Sequence, residues 1–113
     1  MSEHFNGLTP AELERLAYLN EELHEVGQII GKILRHGYES YDPTDPNNKV
    51  VGVEGQGIGR VLSVTTNREL LAREIGDVMR AIEMLRASGD VDGSCILAIV
   101  AKGPPSKYMH HQS

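Results

Sequence analysis

Apolar residues recur every three or four positions along the first third of the chain: Leu16, Leu19, Leu23, Val26, Ile30 and Ile33. This is the seam of a helix that packs against another helix. Its start is marked by Thr9-Pro10-Ala11-Glu12. Thr9 suits the N-cap, proline suits the first helical position, and Glu12 stands where a capping box needs it. No proline interrupts before His36, and Gly37 then has the place of a helix-stopping glycine. A second seam comprises Leu71, Ile75, Val78, Ile82 and Leu85. It predicts a helix capped by Thr66 or Asn67, running to about Ser88 and stopping at Gly89. The segment 91–102 is apolar without a break over 95–101, so a buried helix and a buried strand both fit; the helical context favours a helix ended by Gly103-Pro104-Pro105.

Between the first two helices, residues 38–66 carry Asp42-Pro43, Asp45-Pro46, Asn47-Asn48 and several glycines, the marks of a long connection. Residues 50–53 and 60–64 are expected to pair as a small hairpin around its glycine-rich middle. A connection this long inside a domain is usually functional or mobile. Gly55-x-Gly57-x-Gly59 lacks the Gly-Lys-Ser/Thr ending of a phosphate-binding loop and reads as a flexible turn. The expected architecture is one all-α domain over residues 1–113, an antiparallel helical bundle with a long loop between helices 1 and 2.

Composition narrows the choice. Hydrophobic residues make up 40% but aromatic ones only 4%, so the core is built from Leu, Ile, Val, Ala and Met, a palette that suits packed helices. The net charge of −5 argues against a nucleic-acid or anionic-membrane partner. Cys95 stands alone, which excludes an intrachain disulfide and a cysteine zinc cluster. Residues 1–10 have no apolar signal region, and no apolar run approaches the ~20 residues of a membrane helix, so a cytoplasmic protein is expected.

The chemistry lies in two acidic clusters: Glu21-Glu22-Leu23-His24-Glu25 on helix 1 and Glu74-Ile75-Gly76-Asp77 on helix 2. Each holds an acid-x-x-acid pair on one helix face. At ~100° per residue, Glu22 and Glu74 lie about 60° from their seams, and Glu25 and Asp77 about 120°, in the same rotational sense. If the seams face each other antiparallel, all four carboxylates emerge on one side. Four converging acids repel, and burial pushes their pKa values up. A hard divalent cation, Mg²⁺ or Mn²⁺, removes the difficulty. Glu21 is then a further ligand or the base that activates a bound water. Lys32 and Arg80, with Lys102 or Lys107 from the C-terminal part, are candidates for holding phosphates. Taken singly, acids and bases on helices are usually a solvated face; Glu12, Glu14, Glu69 and Glu83 are read that way.

Two metal motifs are weaker. His24-Glu25-x-x-Gln28 fails as a zincin motif at Gln28. Glu21-x-x-His24 has the spacing of a di-iron bundle ligand pair, but those bundles need two such motifs and the chain carries one. His110 and His111 read as a terminal tail.

Glu21-Glu22-x-x-Glu25 followed by Glu74-x-x-Asp77 resembles the signature of the all-α NTP pyrophosphohydrolases, the MazG-like superfamily. Lys32-Ile33-Leu34-Arg35-His36-Gly37, Thr66-Asn67-Arg68-Glu69 and Tyr108-Met109-His110-His111-Gln112 look like its short, phage-encoded branch. The likeness covers helices 1 and 2 well and the C-terminal part loosely. It departs from the branch in the longer stretch 50–64 and in Gly103-Pro104-Pro105, where the family usually continues a helix. The resemblance implies a hydrolase that cleaves a (d)NTP to (d)NMP and pyrophosphate, with dGTP or GTP the first-guess substrate. It implies Glu22, Glu25, Glu74 and Asp77 as ligands of Mg²⁺ (or Mn²⁺), with Glu21 as ligand or base. The compartment would be the host cytoplasm for a phage protein.

Two short seams leave apolar residues on helix 3 and off the seam centres (Leu13, Ile29, Leu70), so a homodimer or homotetramer is expected. A partner's C-terminal segment would bring Lys107 and Tyr108 to the substrate. The alternatives are a di-iron-type helical bundle and a non-catalytic helical dimerisation module.

Overall fold

The computed structural model describes residues 6–53 and 58–112, with only the backbone of 49–53 and 58–63 considered. In chain order come α1 (Pro10–His36), the strands β1 (Lys49–Val53) and β2 (Ile58–Ser63), α2 (Asn67–Ala87), α3 (Gly93–Ala101) and a 3₁₀ turn, Ser106–Tyr108. The molecule is predominantly helical, and α1 packs against α2. The expected hairpin forms as an antiparallel pair, Val51 opposite Arg60 and Val53 opposite Ile58. Its glycine-rich middle, 54–57, lies outside the described residues, as do residues 1–5.

The helix ends follow the expected chemistry. Thr9 accepts from the Glu12 N–H at 3.2 Å while Glu12 accepts from the Thr9 N–H at 2.9 Å, a complete capping box. Gly37 ends α1 at φ 88°, a backbone conformation that glycine adopts without penalty. Thr66 caps α2 and Asp92 caps α3.

Two sets of bonds hold α1 and α2 antiparallel. At the loop end, the Asn67 N–H donates to the Ser40 carbonyl and the Arg68 N–H to the Tyr38 carbonyl, each at 2.8 Å. The Arg68 guanidinium also lies over the Tyr38 ring, 4.5 Å from its centroid. At the other end, Arg15 grips Asp90 through two bonds of 2.5 and 3.0 Å. That ion pair is largely shielded, and it holds the Asp90 carboxyl below its ordinary range.

The packing face is only partly the expected one. Leu16, Leu23 and Ile30 on α1, and Ile75 on α2, are exposed. The seam residues Val26, Val78 and Leu85 are shielded as expected, but they are joined by Glu22 and Ile29 from α1 and by Glu74 and Ala81 from α2. Ile29, expected off the seam, is buried, and Ala81 is fully enclosed. Both helices are turned by about 60° from their apolar seams, toward their acids. Small Ala81 lets the backbones approach closely.

The third helix is left uncovered within the chain, as expected of its apolar run: Leu97 is 70% and Val100 69% exposed, and no residue of α3 is buried. The helix packs closely against neither α1 nor α2, although Ile96, Leu97 and Val100 share an open cavity with Met79 and Ile82 of α2. The radius of gyration is 20.0 Å, against about 13 Å for a compact chain of this length. The accessible surface, 8875 Å², exceeds by about 2,700 Å² that of a compact monomer of the same mass. No helix among the described residues is long and apolar enough to cross a membrane.

Because Ala81 sits where the helices meet, Ala81→Leu is expected to wedge them apart and cost about 1–3 kcal/mol. Urea unfolding followed by circular dichroism measures it; an unchanged midpoint would mean that the helices are not in contact there.

Candidate metal centre

Glu22 and Glu25 stand midway along α1, and Glu74 and Asp77 in the middle turns of α2, so the antiparallel pairing places them opposite one another. One carboxylate oxygen from each of Glu22, Glu74 and Asp77 can be chosen so that all three lie within 4.8 Å of one another. Glu25 adjoins this trio, beside Glu74. All four are half-buried. The acids therefore stand inside the helix contact, deeper than the flanking position that the seams predicted.

Two atoms are out of balance. Oε2 of Glu22 and Oε2 of Glu74 are both buried and neither has a hydrogen-bond partner among the described residues. Loss of water without replacement raises the pKa of both groups, and neighbouring acids add to it. Burial dominates for Glu74, followed by Glu25, Asp77 and Glu22, and its pKa is pushed up to about 7. For Glu22, burial again comes first, then Glu25, Asp77 and Glu21, with Arg80 opposing. Buried acids are normally paired with bases or hydrogen-bonded. Among the described residues, the cation paired with this group is Arg80, which reaches Asp77 at 3.6 Å and is itself mostly exposed.

An all-oxygen, multiply anionic donor set with vacant lone pairs is the chemistry of a hard divalent cation such as Mg²⁺ or Mn²⁺. The orphaned Oε2 atoms show that the residues present fit such an ion. Glu22, Glu74 and Asp77 are the group able to hold it, with Glu25 beside them.

The remaining sequence candidates are placed differently. Glu21 is exposed at the rim, next to Glu22. Lys32 lies two turns beyond Glu25, in a separate cavity at the loop end. Lys107 and Tyr108 are exposed on the 3₁₀ turn, where the Lys107 ammonium lies 5.0 Å from the centroid of the Tyr108 ring. His24 is exposed and bonded through Nδ1 to the Asn20 carbonyl at 2.7 Å, outside the acidic group, so the di-iron spacing of Glu21 and His24 finds no support in the geometry. Sequence reading missed the Arg15–Asp90 clamp, whose members are 75 residues apart with no pattern joining them. It also missed the burial of Asn67, which it took as a cap.

Comparison with protein families, with curated proteins and with solved structures finds no match to the chain.

The raised Glu74 pKa gives a signed prediction. A carboxyl that titrates higher in the fold than in the unfolded chain stabilises the fold at low pH and loses that contribution as pH rises. For Glu74 the loss runs from its ordinary value of 4.5 to about 7. Without divalent metal, the melting temperature is therefore expected to fall across that window, and Glu74→Gln is expected to flatten the slope and melt higher at pH 8. Equal slopes for the two proteins in a calorimetric pH series would contradict the burial of this acid.

Proposed function

We propose that the chain is a metal-dependent nucleoside triphosphate pyrophosphohydrolase, cleaving a (d)NTP to (d)NMP and pyrophosphate. One observation carries the reading: two buried, partnerless carboxylate oxygens, on Glu22 and Glu74, converge with Asp77 in the middle of the only tight helix contact among the described residues. A helix pair kept together for packing alone has no use for acids there. The arrangement of these acids agrees with the resemblance of Glu21-Glu22-x-x-Glu25 and Glu74-x-x-Asp77 to the MazG-like superfamily, from which the reaction class is taken.

In this reading Glu22, Glu25, Glu74 and Asp77 hold Mg²⁺, or Mn²⁺ in its place. A bound cation supplies neutralising charge and Lewis acidity toward the phosphates. Glu21, exposed beside Glu22, accepts the proton of the attacking water. The water oxygen joins the α-phosphorus, the bond from that phosphorus to the bridging oxygen breaks, and pyrophosphate leaves with the electron pair. Arg80, adjacent to Asp77, offsets charge on the departing group. dGTP or GTP is the first substrate to try. A non-catalytic dimerisation module would account for the exposed apolar faces and leave the buried acids unexplained.

The reading includes a homodimer or homotetramer. Leu16, Leu23, Ile30, Ile75, Met79 and the whole of α3 expose apolar side chains. An oligomer would also carry Lys107 and Tyr108 toward a neighbouring site.

A panel of NTPs and dNTPs incubated with Mg²⁺ or Mn²⁺ should release pyrophosphate and monophosphate, and Glu22→Gln, Glu74→Gln and Asp77→Asn should each lower the rate by about a hundredfold or more while the fold persists. Nucleoside diphosphate with orthophosphate as the main products would sink the mechanism. Light scattering over a dilution series is expected to show no folded monomer at micromolar concentration, and Leu23→Glu with Leu97→Glu should break the assembly; an active wild-type monomer would end the oligomer reading.

A further inference from the structure

At the loop end of the helix pair, α1 and α2 part around a cavity of about 380 Å³. Lys32 and Arg35 line it from α1, Tyr41 and Asp42 from the connection, and Asn67 and Leu70 from the first turn of α2. Its wall is fixed by hydrogen bonds to both helices. Tyr41 bridges to Thr66 through the backbone, the Asn67 N–H donates to the Ser40 carbonyl, and Asn67 Nδ2 donates to the Gly37 carbonyl at 3.2 Å. The Asp42 carboxylate is held through Oδ1, which accepts from the Thr44 N–H at 2.9 Å and from its hydroxyl at 2.6 Å. Asn67 is only 5% exposed, and among the described residues no donor reaches its Oδ1.

The cavity is aligned with the acidic group. Asn67 precedes Glu74 by seven residues and Lys32 follows Glu25 by seven, so each lies on its neighbour's helix face, two turns or about 10 Å along. A molecule lying along this face can touch both places at once.

We propose that the cavity receives the base of the nucleotide, and that it selects a base with a ring carbonyl beside a ring N–H: guanine, uracil or thymine. The assignment rests on the pyrophosphohydrolase reading, which puts the phosphates at the acids and leaves the base to be placed. Tyr41 and Leu70 offer apolar surface to a flat ring. Lys32 and Arg35 donate to a ring carbonyl. Asp42, through its second oxygen, and Asn67, through Oδ1, accept from ring N–H groups. Adenine has no ring carbonyl to take the cationic donors. Lys32, Arg35 and His36 give the cavity a basic side, but Asp42 and the apolar Tyr41, Pro43 and Leu70 share it, and this mixed lining suits a base better than a bare phosphate.

The test uses the full chain and needs no turnover; the nucleosides are added without metal. Guanosine, uridine, thymidine and adenosine are titrated by saturation-transfer NMR, and Mg²⁺-pyrophosphate is titrated separately as a probe of the acidic group. At least one lactam nucleoside should bind with a Kd of roughly millimolar, with adenosine roughly fivefold weaker or more. Asp42→Asn and Tyr41→Ala should each weaken that nucleoside by roughly fivefold and leave pyrophosphate unchanged. Exposed Lys32 supplies a third variant, Lys32→Ala, with the same expectation and no burden on folding. No nucleoside binding, equal binding of adenosine, or loss of pyrophosphate binding in step with the nucleoside would each overturn the assignment. Nucleoside binding without any triphosphate cleavage would support the cavity and remove the proposed activity.

Discussion

Two carboxylates occupy the place in the α1–α2 contact where apolar side chains normally meet, and the rest of the molecule is arranged around them. Withdrawing Glu22 and Glu74 from water without a base opposite is costly. The fold tolerates it because the ends of the helix pair are fastened independently, by Arg15 with Asp90 at one end and by the bonds of Tyr38, Ser40 and Gly37 to the start of α2 at the other. Ala81 keeps the helices close between those fastenings, and Ile29, Val78 and Leu85 supply the apolar contact that remains.

Turning the acids inward turns part of the apolar seams outward. Leu16, Leu23, Ile30 and Ile75 are exposed for the same geometric reason that Glu22 and Glu74 are half-buried, each with one oxygen shielded. A polar site inside a two-helix contact thus weakens that contact twice, by placing charge in it and by removing leucine and isoleucine from it. The proposed cation and the proposed second subunit answer these two deficits separately, one by neutralising the acids and the other by covering the seams and α3. Sites that hold like charges together at a cost to the unliganded fold are a familiar form of the trade between stability and function.

The local elements were legible in the sequence. The capping box at Thr9, the stop at Gly37, the cap at Thr66 and the short hairpin all depend on residues within a few positions of one another, and each forms where the sequence places it. The pairing of α1 with α2 was legible too, because both carry continuous apolar periodicity. The acidic group was found because two acid pairs sit at matching offsets from two seams.

What the sequence left undecided was the rotation of each helix about its own axis. Apolar periodicity assigns the buried face by counting hydrophobic residues, and such a count treats glutamate as outward by default. It cannot register that Glu22 and Glu74 face inward, since that depends on a partner surface assembled from the other end of the chain. The same limit hid the Arg15–Asp90 clamp and the burial of Asn67. For α3, the apolar run 95–101 predicted a helix that needs cover, and among the described residues neither α1 nor α2 encloses it. Sequence by itself determined which segments are helices and where along them the acids stand, because both follow from short-range geometry; only the tertiary structure decided which way those side chains face, because facing is a relation between surfaces that the chain brings together over long distances.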